Sequence, residues 1–150
     1  MEIITVDRSN YIQAAEIHAI SWRESHKDFC SASFVAEHTI ERQADFLIGE
    51  LDAGKKLFML VDEKPVGIVS VEENRIANLY VLPEEQKKGY GSTLLEHAIS
   101  QCKGTPCLWV LSNNEVAARM YYKRGFRESG VRKYMSSAIF QYEMRLLQEV

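Results

Sequence analysis

The stretch with the clearest chemical potential is Gln86-Lys87-Lys88-Gly89-Tyr90-Gly91, which follows a predicted strand and opens a predicted helix. The first turn of a helix presents backbone N–H groups without intrahelical acceptors, and the helix dipole adds partial positive charge there. Glycines spaced G-x-G let a ligand approach those N–H groups without meeting a Cβ atom. The pattern therefore predicts a seat for a pyrophosphate. The side chains that would add charge or hydroxyl donors are Lys87, Lys88, Ser92 and Thr93.

Two better-known phosphate loops do not fit this stretch. The Gly-Lys-Ser/Thr ending of a Walker loop is absent, and Leu94 stands where the dinucleotide pattern G-x-G-x-x-G requires its third glycine. The sequence also offers no plausible magnesium site beside the loop. A nucleotide switch or a kinase-like protein is therefore not favoured.

A second group of candidate residues lies on a helix predicted from Asn114 to Arg124, which Gly125 ends as a left-handed cap. Tyr121 falls on the apolar side of this helix, together with Met120. A tyrosine in that position is usually part of the core, so the helix taken alone indicates no chemistry.

Taken together, the two segments resemble the GCN5-related N-acetyltransferases. Residues 86–91 match that family's coenzyme A signature, Q/R-x-x-G-x-G/A, and residues 114–126 match its second motif, N-x-x-A-x-x-[apolar]-Y-x-x-x-G-F. The resemblance implies an α/β (α+β) fold: a mixed, mostly antiparallel seven-stranded sheet flanked by four helices, with a splayed central strand pair. The strong matches cover residues 76–126, and the order of predicted elements extends the likeness along the chain.

The resemblance also implies roles for individual residues. The pantetheine arm would run along the backbone of Leu79, Tyr80 and Val81, and Asn114 would contact the coenzyme. The residues expected around the pyrophosphate are Gln86, Lys87, Lys88, Gly89, Tyr90, Gly91, Ser92 and Thr93. Tyr121 would point at the thioester sulfur and act as general acid. We assign this role to Tyr121 rather than Tyr122 because adjacent helix residues face about 100° apart.

The implied activity is transfer of an acetyl group from acetyl-CoA, a cosubstrate, to a primary amine of a small molecule or peptide by direct attack in a ternary complex. A non-catalytic acyl-CoA-binding module of the same fold is the alternative. Asn78 cannot serve as a base where many relatives carry a glutamate, and Trp109 stands where acetyltransferases of protein N-termini carry one. No general base is therefore predicted, and Trp109 favours an aromatic-walled small-molecule site over a peptide N-terminus.

The acceptor is expected between the first two helices and the closing strands. Candidate substrate contacts there are Trp22, Glu24, His26 and Phe29, with Trp109 as a wall. Glu24 could hold an amine. The remaining histidines, His18, His38 and His97, are predicted to be solvated or boundary helix residues, and no metal site is expected.

Composition narrows the class of protein. A chain of 150 residues predicts a single domain, residues 1–150. A formal net charge of −3 provides no excess positive charge to bind a nucleic-acid backbone. No apolar run approaches the ~20 residues that span a bilayer. Three cysteines without a secretion signal indicate reduced thiols and a cytoplasmic location.

Hydrophobic periodicity predicts the order strand, two helices, three strands, helix, strand, helix, two strands. The predicted elements are a strand at 2–6, helices at about 10–21 and 35–53 separated by a polar-aromatic loop at 26–33, strands at 57–61, 66–71 and 76–82, a helix at 89–102, a strand at 107–111, a helix at 114–124 and two closing strands. The long final strand is expected to be an edge, which could pair with a second copy of the chain in a homodimer.

Overall fold

The computed structural model describes residues 1–135 and 138–147, and within them one mixed sheet of seven strands is present. Its strands are β1 (Glu2–Thr5), β2 (Lys56–Asp62), β3 (Lys64–Glu72), β4 (Arg75–Val81), β5 (Cys107–Leu111), β6 (Phe126–Tyr134) and β7 (Phe140–Leu146). The order across the sheet is β1-β2-β3-β4-β5-β7-β6, and β4 pairs with β5 in parallel. The predicted mixed, mostly antiparallel sheet is confirmed.

Five α-helices are present in the described residues rather than the predicted four. They are α1 (Tyr11–His26), α2 (Ala32–Ala36), α3 (Ile40–Asp52), α4 (Tyr90–Gln101) and α5 (Glu115–Arg124), with a short 3-10 turn at Pro83–Glu85. The predicted second helix is two helices because Thr39 starts a new one, accepting a hydrogen bond from the Arg42 backbone N–H. The first helix was also predicted too short, since α1 continues to His26.

The helices cover both faces of the sheet. On one face α1 and α3 bury Ala15, Ile17 and Leu47 against Met59 and Ile68. The other face carries α4 and α5, whose Leu94, Leu95 and Tyr121 pack with Val69, Ile76 and Leu108 of the strands. The sheet is therefore a buried middle layer, and any ligand between β4 and β5 would lie at the junction of two cores.

The predicted edge role of the final strand is wrong. β7 lies inside the sheet, hydrogen-bonded to β5 on one side and to β6 on the other. β6 is the outer strand, and apart from Phe126 all its residues are exposed and many are charged. Charged side chains on an edge strand discourage edge-to-edge pairing. The homodimer stays a prediction.

A close approach of α4 to β3 depends on Gly67. A Cβ atom there would lie 2.7 Å from Leu94 Cδ1 and 2.9 Å from the Tyr80 carbonyl oxygen. The backbone of β4 can move only at a cost in strand pairing. The absence of a side chain at Gly67 therefore sets how closely α4 packs on β3, beside the separated strands β4 and β5.

Gly67→Ala should therefore lower the free energy of unfolding by about 1–3 kcal/mol through overpacking. Gly49→Ala is the matched control, because nothing lies within 4 Å of a Cβ at that exposed position of α3. The control should be neutral or more stable by up to about 1 kcal/mol. Urea unfolding of both variants measures the difference, and equal stabilities would contradict the packing argument.

Candidate active site

The central feature of the site is the gap between β4 and β5. These strands pair only at Arg75 with Cys107 and at Ile76 with Leu108. Beyond that point residues 77–81 of β4 and 109–111 of β5 separate, so main-chain groups along the β5-facing edge of β4 lack a strand partner. A narrow, hydrogen-bonding ligand arm fits such an opening better than another strand does.

A β-bulge at Asn78 accompanies the separation. The β3–β4 register shifts between Ile68 and Ser70, and Asn78 has φ of 52°, a left-handed conformation that asparagine tolerates better than most residues. Ser70 fixes the bulge: its hydroxyl donates to the Ala77 carbonyl at 3.1 Å and accepts from Asn78 Nδ2 at 3.1 Å. The bulge thus turns β4 away from β5 at a defined residue.

The start of α4 supplies unpaired donors at the end of this gap. Gly89 is the N-cap with φ of 85°, and because it has no side chain it provides no capping hydrogen-bond acceptor to the helix. Within the described part of the chain, the backbone N–H groups of Tyr90, Gly91 and Ser92 have no acceptor. A Cβ at Gly91 would lie 3.3 Å from Met120 Sδ, so this glycine also lets α5 pack closely against the first turn of α4.

Several side chains predicted to meet the pyrophosphate are engaged within the protein. Gln86 Nε2 donates to the Val81 carbonyl at 3.2 Å, Lys88 Nζ pairs with Glu85 at 2.8 Å, the Tyr90 hydroxyl donates to Asp62 at 2.5 Å, and the Thr93 hydroxyl donates to the Gly89 carbonyl at 3.1 Å. Lys87 and Ser92 are left without side-chain partners among the described residues. The loop therefore offers a ligand mainly its backbone N–H groups and the Lys87 ammonium.

Tyr121 is buried in the core on the α4–α5 face of the sheet, while Tyr122 is exposed and lies beneath the Arg127 guanidinium. The Tyr121 hydroxyl has no hydrogen-bond partner among the described residues. Its oxygen is not fully enclosed, because the fully enclosed side-chain atoms without a partner in the described residues are His18 Nδ1 and His97 Nε2. Burial, with the nearby Tyr80, raises the pKa of Tyr121 above its ordinary value. The phenol is therefore protonated at neutral pH and free to donate.

Asn114 lies at the N-cap of α5. Its Oδ1 accepts a hydrogen bond from the Ala117 backbone N–H at 3.2 Å, which satisfies one donor of the first helical turn. The amide nitrogen of the same side chain has no partner within the described chain and remains available to a ligand.

The aromatic residues predicted near the acceptor form a stack at the end of α1. The Trp22 ring lies 3.9 Å from the His26 ring and 3.4 Å from the His38 ring, nearly parallel to both. Rings this close and this parallel to one indole must occupy its opposite faces. Phe29 joins the cluster, 5.1 Å from His26 between centroids. The stack ties α1 to the segment between α2 and α3.

Two other predicted substrate contacts lie apart from this stack. Glu24 is exposed and pairs with Lys27 at 2.8 Å. Trp109 is half-buried on β5, with Lys133 Nζ 5.4 Å from its ring centroid. Sequence reasoning missed Glu143, a buried carboxylate on β7 directly across from Trp109, which accepts from Arg145 Nε at 2.9 Å.

His18 contradicts its prediction as a solvated or boundary residue, because it is only 5% exposed. It packs against Tyr80 of β4, at 5.0 Å between ring centroids, and against Phe46 of α3, at 5.7 Å. Burial lowers the pKa of His18 to about 4, against the opposing effect of the Asn78 and Gln43 side chains. Its Nδ1 is enclosed without a partner. The spacing His18, Trp22, His26 on one helix face was the available signal.

The described residues hold no group of three His, Cys, Asp or Glu side chains that could bind a metal ion. The same part of the chain contains no helix with the length and apolarity needed to cross a membrane.

Comparison with known proteins identifies the architecture. A family model described as an acetyltransferase (GNAT) domain matches residues 33–128. The chain belongs to the GNAT acetyltransferase family. The GNAT signature segments at the start of α4 and along most of α5 both fall within this match.

Among curated relatives, the peptidyl-lysine N-acetyltransferase YjaB of Escherichia coli K12 is 28% identical over 132 residues, covering 85% of each chain. The ribosomal protein bS18-alanine N-acetyltransferase of the same organism is 35% identical over 69 residues, which cover 43% of this chain and 47% of that protein. The match to this second relative thus spans about half of its length.

Solved structures agree on the GNAT fold. Apo YjaB of Escherichia coli superposes with a TM-score of 0.74 at 24% identity, covering 99% of this chain and 98% of that one. PaiA N-acetyltransferase of Thermoplasma acidophilum, determined in complex with coenzyme A, gives 0.71 at 20% identity and covers 95% and 96%.

The buried His18 predicts a pH dependence of stability. Because its native pKa is about 4 against an ordinary 6.5, the unfolded chain takes up a proton in that window and the native state does not. The free energy of unfolding should fall as pH is lowered through the window, by up to about 3 kcal/mol from this residue. His18→Gln should show a shallower decline in urea unfolding series. Identical slopes for parent and variant would contradict a depressed pKa at His18.

Proposed function

We propose that this GNAT chain transfers the acetyl group of acetyl-CoA to a primary amine of a peptide or small molecule. Three observations support the proposal: the separation of β4 from β5, the backbone N–H groups at the start of α4 that have no acceptor in the described chain, and the unpartnered hydroxyl of the buried Tyr121. The N-acetyltransferase names of both curated relatives and the coenzyme A complex of PaiA support it.

Coenzyme binding would divide between α4 and β4. The N–H groups of Tyr90, Gly91 and Ser92 would receive the pyrophosphate, since a helix N-terminus favours an anion through both donors and dipole. Lys87 would add an unpaired charge. The main-chain groups of Leu79–Val81 that have no β5 partner would hydrogen-bond the pantetheine amides, except for the Val81 carbonyl, which already accepts from Gln86 Nε2 at 3.2 Å.

Acetyl-CoA, when bound, supplies the acetyl group as a thioester whose carbonyl carbon the amine attacks directly. A backbone N–H of the splayed part of β4 would stabilise the negative charge that develops on the carbonyl oxygen. The Tyr121 hydroxyl would donate its proton to the departing thiolate. Burial raises the pKa of Tyr121, so the phenol is still protonated when the thiolate leaves.

A non-catalytic acyl-CoA-binding module is the second candidate, and one observation favours it: Asn78 occupies the bulge without a carboxylate. The free hydroxyl of Tyr121 argues against it, because a module that only binds has no need of an unpartnered buried acid. The acceptor is a peptide or small-molecule amine in the leading proposal, and no metal takes part. The cytoplasmic location, the single domain and a homodimer stay predictions.

Turnover separates these two candidates. Thiol release from acetyl-CoA would be followed with a lysine-containing peptide, a peptide that begins with alanine, and spermidine. Tyr121→Phe should lower kcat by about 100-fold or more by removing the general acid. Its acetyl-CoA affinity by calorimetry should be unchanged. Tyr122→Phe is the control and should keep the parent rate, since its ring faces solvent.

Acetyl-CoA affinity without turnover of any amine would support the binding module. Absence of affinity for acetyl-CoA would end both candidates. Full activity of Tyr121→Phe would remove the acid role of this residue while leaving acetyl transfer itself intact.

The two lysines of the loop give a further prediction. Lys87→Gln should weaken acetyl-CoA binding several-fold, because this ammonium has no acidic partner in the described structure. Lys88→Gln should change affinity less, since Glu85 already neutralises that charge at 2.8 Å. The effect of Lys87→Gln on affinity should shrink as salt is raised, because the ion pair between the Lys87 ammonium and the coenzyme phosphates would be exposed to solvent. Calorimetry at low and high salt measures both, and equal effects of the two variants would contradict a free Lys87.

A further inference from the structure

Tyr80 differs from its two neighbours on the separated part of β4. The side chains of Leu79 and Val81 pack with the core on the α4–α5 face of the sheet, whereas the Tyr80 side chain packs with the core that α1 and α3 cover, on the α1–α3 face. This alternation follows from strand geometry, because successive side chains point to opposite faces. Tyr80 is therefore the one side chain that residues 79–81 present to the α1–α3 face.

The Tyr80 hydroxyl has no hydrogen-bond partner in the described part of the chain, although the residue is half-buried. Its oxygen is not fully enclosed either, since the fully enclosed unpartnered side-chain atoms of the described residues are His18 Nδ1 and His97 Nε2. Burial raises the pKa of Tyr80 to about 12, so the phenol is neutral at physiological pH. A buried tyrosine usually has a partner for its hydroxyl, and packing alone would be served by phenylalanine.

The surroundings of Tyr80 fix its ring beside the separation of the two strands. The His18 ring of α1 meets it edge to face, at 5.0 Å between centroids. Its backbone pairs with Ile68 of β3 and has no partner on β5. Tyr80 also lies close enough to Tyr121 to raise the pKa of that phenol, although the two side chains belong to cores on opposite faces.

The α4–α5 face leaves little room for a second substrate. Tyr121 is only 6% exposed there, and Met120 packs against Gly91 at the start of α4. In the proposed reaction Tyr121 serves the sulfur of the thioester from this face. The amine must approach the carbonyl carbon with its lone pair aligned, and the α1–α3 face, which carries the Tyr80 phenol, is the side left to it.

We propose that the Tyr80 hydroxyl binds the acceptor amine: its oxygen accepts one N–H of the neutral amine and turns the nitrogen lone pair toward the thioester carbon. This inference rests on the proposed acetyl transfer and gives the Tyr80 side chain a role separate from that of its backbone. An uncharged acceptor suits the task, because it holds the neutral amine without stabilising the ammonium form, as a carboxylate in place of Asn78 would.

Tyr80 neither gains nor loses a proton in this scheme. The acceptor releases one proton to water before it binds, because an ammonium has no lone pair with which to attack. While the N–C bond forms and the C–S bond breaks, a second proton passes from nitrogen to water, and the Tyr121 proton passes to the thiolate. The Tyr121 phenolate then recovers a proton from water. The net reaction converts an ammonium and acetyl-CoA into the acetylated amine, the free thiol of coenzyme A and one proton.

The test compares Tyr80→Phe with Tyr11→Phe. Tyr11 is the matched control, because its half-buried ring packs on the same core but stands at the first residue of α1, about two helical turns before His18. With whichever amine of the panel the parent acetylates, Tyr80→Phe should lower kcat/KM for the amine by about 3- to 10-fold, the effect of one hydrogen bond to a neutral acceptor. Acetyl-CoA affinity by calorimetry should be unchanged, and Tyr11→Phe should follow the parent throughout.

Two further measurements separate amine binding from packing and from proton transfer. Because the hydroxyl has no partner in the described chain, the urea midpoint of Tyr80→Phe should equal or exceed that of the parent, whereas loss of a packing role would lower it. The fold-loss in kcat/KM should also be constant from pH 7 to 9. The titratable side chains near Tyr80 are His18 and Tyr121, and burial lowers the pKa of the first to about 4 and raises that of the second.

Parental kinetics for Tyr80→Phe, a weakened affinity for acetyl-CoA, a lower urea midpoint or a loss that changes with pH would each overturn the proposal, while acetyl transfer by the parent would stand. If the variant fails to fold, the parent labelled with carbon-13 at the tyrosine Cζ atoms decides the matter. The amine added to the coenzyme A complex should shift the Tyr80 signal and not that of Tyr11, and an unmoved Tyr80 signal would refute the role. A parent that acetylates no amine would instead refute the proposed function, and the role of Tyr80 with it.

Discussion

The separation of β4 from β5 is the constraint on which the rest of the structure depends. A parallel pair that stopped hydrogen bonding after two residue pairs would normally be destabilised, because buried main-chain groups need partners. The bulge at Asn78, held by Ser70, imposes that separation from the β3 side. The open edge of β4 and the N–H groups at the start of α4 are thus both without main-chain partners in the described residues, which is what the proposed coenzyme site needs.

Close packing around glycines keeps this opening in place. Gly67 brings α4 against β3, and Gly91 brings α5 against the start of α4. Both contacts lie beside the gap, so the two helices cannot drift toward it without losing core contacts on the α4–α5 face. The site is therefore positioned by the core rather than by loops alone.

Much of this arrangement could be predicted from sequence because its signals are local. The G-x-G turn, the left-handed Gly125 cap and the alternating strands depend on neighbouring residues, and all appear where expected. The break between α2 and α3 was missed, because Val35 and Ile40 continue an apolar pattern across the Thr39 cap. The place of β7 inside the sheet was missed because strand order depends on long-range pairing that periodicity does not report. His18 was misjudged for a related reason: its burial follows from contacts with β4 and α3, distant in the chain.

The stacking around Trp22 bears on how an acceptor is chosen. Imidazoles cover both faces of this indole, so an incoming ammonium finds no open π surface on α1 to rest against. The indole therefore serves the contact between α1 and the segment that joins α2 to α3, and a cation near this end of α1 would have to find its partners elsewhere.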